Sequence, residues 1–333
     1  MKNCTNSSVS EFSILAFVTS PNGQILLFIL VLLMYFFTVL GNATIVTLVS
    51  TVSQLHTPMY FFLCNLSSAD ITYVSVTLPK LMSILLSQDH SITFYGCMAQ
   101  LYIFLLCAQA DIFILTSMAY DRYVAICKPL QYSLIMNKSV CITMAAFSWL
   151  TGTLNSLPHT MIASSLSYCY SNEIDHFFCD LKTLSKLSAS DFTNWDLLST
   201  VESVFIGCIP FLLIVISYVY IIVSILKIQT SKGRHKAFSS CTSHLITVLL
   251  FYGPIIFIYI KPTNNRSSEN DKLLSIIYIA IVPLLNPLVY SLRNKDVLVA
   301  TAKIRLYVKF RSVQRINVGK KHTVNKDRDI WNC

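Results

Sequence analysis

The sequence predicts an all-α membrane protein, namely a seven-transmembrane helix bundle with a short amphipathic cytoplasmic helix after the seventh span. Of the 333 residues, 54% are hydrophobic and 12% are charged, whereas a soluble domain carries roughly 25% charged residues. Seven apolar segments each provide about the ~20 residues that a helix needs to cross a bilayer. Basic residues concentrate between alternate segments and after the last one, as the positive-inside bias requires.

The seven segments fill most of the chain and leave little of it for a soluble domain. Their predicted bounds are Ile25–Val49, Met59–Leu86, Gly96–Ile126, Val140–Leu166, Leu197–Leu226, Phe238–Ile260 and Leu273–Leu292. The distribution of basic residues puts the N-terminus outside the cell and the C-terminus in the cytoplasm, as expected for a multi-pass protein of the plasma membrane. Residues 1–24 would then form an extracellular N-terminus, and residues 25–292 the membrane domain.

The N-terminal region carries targeting and modification signals. Its first residues lack a basic region followed directly by an apolar core, so we expect no cleavable signal peptide. The first span should then act as the targeting signal. Asn3 and Asn6 each begin an Asn-X-Ser/Thr sequon on the predicted outer side, which makes both of them candidate glycosylation sites.

The chain changes character after the seventh segment. Within residues 293–310, Val297, Thr301 and Ile304 recur at helical spacing with basic residues between them. This pattern predicts an amphipathic helix on the anionic inner leaflet, with membrane lipid as its partner. Residues 311–333 are polar and basic and predict a disordered cytoplasmic tail. Because the basic residues are scattered around the spans, no nucleic-acid binding is expected.

The third segment ends in a charged motif that runs from Met118 to Leu130. Asp121 and Arg122 follow a long apolar run, and Pro129 then prevents further regular helix. The two charges therefore lie at the membrane surface. They can be interpreted as an interfacial anchor. Alternatively they form a switch, in which Arg122 pairs with Asp121 in one state and is released to a partner protein in another.

Two acids interrupt the apolar segments. Asp70 lies within the second segment and Asp111 within the third. A charged side chain at the centre of a membrane-spanning helix costs roughly 2.5–3.5 kcal/mol, so each acid is expected to face the bundle interior and to have a role. Asp111 precedes Arg122 by about three helical turns, which places both residues on the same inward face.

Three cysteines lie at or near the predicted outer membrane face. Cys97 precedes Arg122 by a helix length of about 37 Å at 1.5 Å per residue, so it begins the third span at that face. The long outer loop, Ser167 to Asp196, contains Cys169 and Cys179. Oxidation is possible outside the cell, so a disulfide is expected, but the residues alone leave its pairing open.

Five sequence blocks together resemble a known family. They are Pro58 to Tyr60, Met118 to Cys127, Ser217 with Tyr218, Lys236 to Leu245, and Pro283 to Asn294. In this order, and over nearly the whole chain, they resemble the olfactory (odorant) receptors, a branch of the rhodopsin-like (class A) G-protein-coupled receptors. The resemblance implies the seven-helix fold, small odorant ligands, and cAMP signalling through a stimulatory, olfactory-type heterotrimeric G protein.

The resemblance also implies three sets of site residues. G-protein coupling and switching are assigned to Asp121, Arg122, Tyr123, Tyr218, Asn286, Pro287 and Tyr290. A buried ion site is assigned to Asp70, Asp111 and Asn286, with sodium as its expected ion. A mostly apolar ligand cavity in the outer half of the bundle is assigned to Phe104, Leu105, Ala108, Gln109, Ile206, Tyr252, Ile255, Tyr259 and Ile279. Gln109 and Tyr259 are its expected polar anchors.

The family pattern resolves the cysteine pairing and identifies a departure. It pairs Cys97 with Cys179. The family usually has a further outer-loop cysteine where this chain has Ala189, so Cys169 loses its usual partner and is expected to be a free thiol.

The buried acids and a third acid each have two interpretations. The family usually has glutamate where this chain has Asp111, and the shorter arm affects the ion site. Since two carboxylates in one low-dielectric cavity cannot both stay ionised cheaply, Asp70 and Asp111 are either protonated and hydrogen-bonded or hold sodium, with Asn286 as a neutral ligand. Glu202 lies one turn above Ile206 and is either a ligand contact or an acid facing the interface near the helix end.

Other functions are weighed against a receptor for odorants. A secondary transporter would use the intramembrane acids to relay ions, but the two similar halves typical of transporters are not found. A membrane enzyme would need metal-binding spacing or a nucleophile elbow, and neither is present. His244 has no Cys or His partner at ligand spacing, so packing is its preferred role. A rhodopsin-like receptor for a non-odorant small ligand stays the main alternative. No cofactor is expected besides the possible sodium ion.

Overall fold

Seven long helices dominate the computed structural model, which describes residues 9–17, 20–168, 171–188, 201–260 and 268–292. They are α1 (Pro21–Thr51), α2 (Pro58–Ser87), α3 (Phe94–Cys127), α4 (Lys138–Ser165), α5 (the π-helical Ser203–Cys208 followed by Ile209–Leu226), α6 (Ser231–Ile260) and α7 (Ser268–Ile276, the π-helical Ile277–Ile281, and Val282–Leu292). In the described part of the chain, every one of these helices except α6 is long and apolar enough to qualify as a membrane span. Short helical turns lie at Ser53–Leu55, Pro129–Gln131, Tyr132–Ile135 and Leu181–Leu187.

Several helices extend beyond their predicted apolar segments because capping and polar residues also adopt helical structure. The first helix begins at Pro21, where proline suits the first turn and the Ser20 hydroxyl accepts a hydrogen bond from Gly23 N at 3.3 Å. In the same way α6 begins at Ser231 rather than Phe238, because its first two turns are polar. Hydropathy marks the part of a helix that lies in the membrane and misses such extensions.

The first helix is fastened to the seventh at a proline. Pro287 has no backbone N–H, so the carbonyl of Pro283 lacks its usual helical donor. The Asn42 side chain in α1 supplies one, with Nδ2 lying 3.0 Å from Pro283 O. A Cβ atom on the neighbouring Gly41 would lie 3.2 Å from Pro287 Cβ, so glycine permits this close approach.

The third and fourth helices approach closely at a glycine. A Cβ atom on Gly152 of α4 would lie only 2.5 Å from the carbonyl oxygen of Leu106 in α3. The same helix reaches α2 through Trp149, whose Nε1 donates to Asn65 Oδ1 at 2.9 Å. In contrast, Phe147 and Leu150 of α4 are each 56% exposed, as expected for a lipid-facing surface.

A three-stranded sheet covers one end of the bundle, which the sequence analysis did not predict. The strand β1 (Glu11–Ile14) lies between β2 (Ser91–Thr93), with which it is antiparallel, and β3 (Glu173–Ile174), with which it is parallel. Phe12 and Ile14 of the central strand are fully buried beneath it. The predicted helical membrane fold is confirmed, and the described structure also contains this small sheet.

Candidate functional site

The two ends of the bundle carry different chemistry. We call them the disulfide end, where Cys97 at the start of α3 is bonded to Cys179, and the Arg122 end, where α3 finishes. The Cα atoms of the two cysteines lie 5.5 Å apart, so the predicted pairing is confirmed. Cys169, whose free thiol is predicted, lies outside the described residues, as do the sequons at Asn3 and Asn6.

Arg122 and Asp121 form a closed ion pair at the Arg122 end. Nη2 and Nε of Arg122 lie 2.5 and 3.1 Å from Oδ2 of Asp121, and the Tyr132 hydroxyl donates to Oδ1 at 2.7 Å. Both carboxylate oxygens therefore accept hydrogen bonds. Asp121 is fully buried, which fits an internal latch better than an anchor in the lipid headgroups. No sequence signal marks Tyr132 as part of this group, since it follows the loop that Pro129 begins.

A second polar group joins three helices near this latch. Nε2 of His244 in α6 lies 3.0 Å from the carbonyl of Leu115 in α3, and Nδ1 lies 2.8 Å from the Tyr218 hydroxyl in α5. Because a carbonyl only accepts, Nε2 carries the proton, and Nδ1 of a neutral ring then accepts from Tyr218. Both ring nitrogens thus have partners, which supports a packing role for His244 and a fixed arrangement of α3, α5 and α6.

The remaining switch residues lie around the same end. Tyr123 is half-buried, with its ring 5.9 Å from the ring of Tyr220 in α5 and Lys128 Nζ 5.9 Å above it. Tyr290 is buried in α7, three residues after the Pro287 that packs against α1. The structure therefore places every predicted switch residue in the inner packing of the bundle except Tyr123 at its edge.

The three residues of the predicted ion site come together. Asn286 Nδ2 donates to Asp70 Oδ2 at 2.9 Å, and both residues line a cavity of about 10 Å³ with Asp111, about the room for one water-sized sphere. Both acids are buried. Among the described residues, Asp111 Oδ1 and Asn286 Oδ1 have no hydrogen-bond partner. These are oxygen atoms without donors, the kind of ligand that a hard cation prefers.

The predicted ligand wall is partly assembled at the disulfide end. Phe104 stacks on Tyr73 of α2, with ring centroids 5.0 Å apart, and its centroid lies 4.7 Å from that of Phe178 in the outer loop. Ile279 is buried in the same apolar cluster as Phe104. Phe178 is not among the predicted wall residues, although its position next to Cys179 is a signal for it, because the disulfide fixes that residue over α3.

Other members of the predicted wall have different surroundings. Gln109 faces α4, where its Oε1 accepts from Asn155 Nδ2 at 3.2 Å. Tyr252 is buried deeper in the bundle, with its ring 4.9 Å from that of Phe211. Leu105, Ala108 and Ile206 are half-buried, as is Gln109. The side chains of Ile255 and Tyr259 lie outside the described residues.

An ionic cluster closes the disulfide end. Lys272 of α7 is 1% exposed, and its Nζ lies 2.7 Å from Asp175 Oδ1 and 3.0 Å from Glu269 Oε1. Beside it, His176 Nε2 lies 3.2 Å from Ser275 Oγ. Burial lowers the pKa of His176, and the nearby Lys272 cation lowers it further against the opposing effect of acidic neighbours. The outer loop is thus fastened to α7 by a buried cation and a histidine held neutral.

A bundle of apolar helices, with an arginine paired to a buried aspartate at one end and a disulfide-fixed loop at the other, has the architecture of a multi-pass membrane receptor. The family model described as olfactory receptor matches residues 31–308. Human olfactory receptor 5I1 is 46% identical over 298 residues, which cover 89% of this chain and 94% of that protein. Mouse olfactory receptor 1E16 is 46% identical over 87% of this chain and 92% of its own length. The dog olfactory receptor-like protein OLF1 is 46% identical over 87% of this chain and 93% of its own length.

The chain belongs to the olfactory receptor family of rhodopsin-like receptors. The resemblance stated from the sequence is thereby confirmed, together with the helical membrane fold that it implies. This family consists of signalling receptors, so the prediction that the chain is a receptor rather than an enzyme is also confirmed.

Proposed function

We propose that this receptor binds small, mostly apolar odorants inside the bundle near the disulfide end and activates a stimulatory heterotrimeric G protein. The disulfide end faces the outside of the plasma membrane, and the Arg122 end faces the cytoplasm. The observation that carries the proposal is the closed latch of Arg122, Asp121 and Tyr132. In this latch the Arg122 guanidinium group is paired with Asp121, at the end of the bundle where a cytoplasmic partner would bind.

Activation requires a ligand that binds the open arrangement more tightly than the closed one. In the closed arrangement Tyr218 and His244 tie α5 to α6, and His244 ties α6 to α3. A ligand between the outer halves of these helices shifts them and separates Tyr218 from His244. Arg122 is then released to the G protein, which converts a local contact into a signal at the other end of the bundle.

The test is nucleotide exchange on purified stimulatory G protein by membranes containing the receptor, measured across a panel of volatile apolar compounds. A receptor of this kind accelerates exchange with some of the compounds and leaves an inhibitory G protein unaffected. Accumulation of a compound inside vesicles without nucleotide exchange would support the transporter alternative. Activation by non-volatile metabolites alone would support a receptor for another class of small ligand.

Within that panel, Phe104→Ala is expected to weaken the potency of agonists by ~10- to 200-fold while leaving the maximal response unchanged, because it removes an apolar contact of the ligand. Phe36→Ala is the matched control, since Phe36 is 55% exposed on the lipid face of α1. Gln109 and Tyr259 are the proposed polar anchors, and the Nε2 amide of Gln109 is left to donate to a ligand. Unchanged potency of every agonist in the alanine variants of Phe104, Gln109 and Tyr259 would exclude this cavity.

The acid cavity is proposed to hold a sodium ion that stabilises the closed state. Its support is the set of buried oxygens of Asp70, Asp111 and Asn286 around a cavity of about 10 Å³. Asn286 is also the residue before Pro287, where α7 is fastened to α1. A sodium ion bound there would take its ligands from α2, α3 and α7. It therefore stabilises the arrangement in which these three helices are closest together.

Replacing sodium by N-methyl-D-glucamine is therefore expected to raise basal nucleotide exchange at least about fivefold, the low end of allosteric couplings. Asp111→Asn should remove this dependence, because it removes a charged ligand. Asp89→Asn is the matched control, since Asp89 lies in a loop and pairs with Lys80 at 3.3 Å. Equal basal rates in both salts for the native receptor would leave the interpretation in which both acids are protonated and hydrogen-bond between helices.

A further inference from the structure

A histidine and a glutamate meet inside the apolar bundle. Nε2 of His159 in α4 is in hydrogen-bonding contact with Oε2 of Glu202, the residue before the π-helical turns of α5. The side chains are 5% and 15% exposed. An acid within membrane-spanning helices is costly to insert and faces the bundle interior when it has a function.

The pair lies beside the proposed ligand cavity. The hydrogen bond between Asn155 of α4 and Gln109 of α3 fixes how these antiparallel helices are aligned. One turn from that bond toward the disulfide end are His159 on α4 and Leu105 on α3. Through its contact with His159, Glu202 therefore lies beside α4 in the half of the bundle that leads to the disulfide end, the half assigned to the ligand cavity.

The second oxygen of Glu202 indicates what the pair binds. Oε2 is occupied by His159, whereas Oε1 is buried and has no hydrogen-bond partner within the described part of the chain. A buried acceptor without a donor carries a desolvation penalty that a donor from a ligand removes. Since a carboxylate only accepts, the complementary ligand group is a donor, and an ammonium group adds the strength of a charge-assisted hydrogen bond.

We propose that Glu202 is the binding residue of a polar subsite for the amino group of small apolar amines, with His159 as the residue that positions its carboxylate. The inference deepens the proposed ligand-binding function and rests on it. The apolar part of the amine lies toward Ile206, one turn along α5 from Glu202, and toward the wall of α3 that carries Leu105. A carboxylic acid of the same length is disfavoured because its anion would face Glu202.

The test measures thermal unfolding of the purified full-length receptor with hexylamine, hexan-1-ol or hexanoic acid. In the native receptor, hexylamine should raise Tm at concentrations at least tenfold lower than hexan-1-ol, and hexanoic acid should not stabilise. Glu202→Gln should remove the preference for amine over alcohol while keeping the effect of hexan-1-ol. Glu202→Asp, which keeps a carboxylate, should retain the preference. The matched control is Glu173→Gln, since Glu173 is exposed in β3.

His159→Asn should reduce the amine preference without abolishing the stabilisation by hexan-1-ol. Parallel loss of both effects would reduce His159 to a structural residue and overturn its positioning role. The same amine preference in the native receptor and in Glu202→Gln would overturn the subsite itself, as would a native receptor that binds hexan-1-ol and shows no preference for hexylamine.

This readout does not depend on signalling, so the two proposals fail separately. If hexylamine binds through Glu202 but no compound stimulates nucleotide exchange, the proposed receptor function is wrong and the subsite stands. If apolar odorants stimulate exchange and no amine preference is found, the receptor function stands and the subsite is wrong.

Discussion

Arg122→Ala is expected to abolish agonist-driven cAMP production while leaving the amount of receptor at the cell surface unchanged. In the closed state the guanidinium group pairs with Asp121, whose second oxygen accepts a hydrogen bond from Tyr132. The hydrogen bond from Tyr132 to Asp121 stays in place when the guanidinium group is removed. The open state loses the cation that would contact the G protein, so coupling fails.

The measurement pairs cAMP production with surface labelling of the same cells. Arg234→Ala is the matched control, because it removes an exposed arginine from the first turn of α6, near the same end of the bundle, without touching the latch. Signalling should persist in that variant. Agonist-driven cAMP at the native level in Arg122→Ala would show that the motif is an interfacial anchor.

The helices and the position of the charged Asp121-Arg122 motif at a helix end could be predicted from the sequence because their signals are local. The length of apolar runs and the bilayer thickness identify a span without knowledge of its neighbours. The sequence blocks around Arg122 and Pro287 then identify a family, and the family pattern selected Cys179 as the partner of Cys97, a choice that spacing alone left open. The structure confirms this disulfide.

Contacts between distant segments could not be predicted in this way. The strand Glu11–Ile14 is only four residues long, and it pairs with residues 91–93 and 173–174, so its alternation carries little signal. Helical periodicity shows that Gln109 lies on a buried face, but it does not show that Asn155 is its partner. The contact of Glu202 with His159 likewise depends on how α4 and α5 are packed.

Cys97→Ser is expected to have the largest effect on folding. The disulfide joins residues separated by 82 positions. In the chain-entropy description, closing a loop of that length raises the free energy of the unfolded chain by ~4.5 kcal/mol. The bridge also holds Phe178 against Phe104, and Cys179 N donates to Gln100 Oε1 at 2.7 Å. We therefore expect a large fall in Tm of the purified receptor and loss of most of the protein from the cell surface.

Cys208→Ser is the matched control, because Cys208 is an exposed free cysteine in α5 and its replacement should change neither measurement. Reductant should lower the Tm of the native receptor to that of Cys97→Ser and leave the variant unaffected. Equal Tm values for the native receptor and the variant would contradict a stabilising role of the bridge. Because Phe178 contacts the ligand wall, variant protein that does reach the surface should also respond to odorants with weaker potency, whereas basal coupling at the distant Arg122 end should persist.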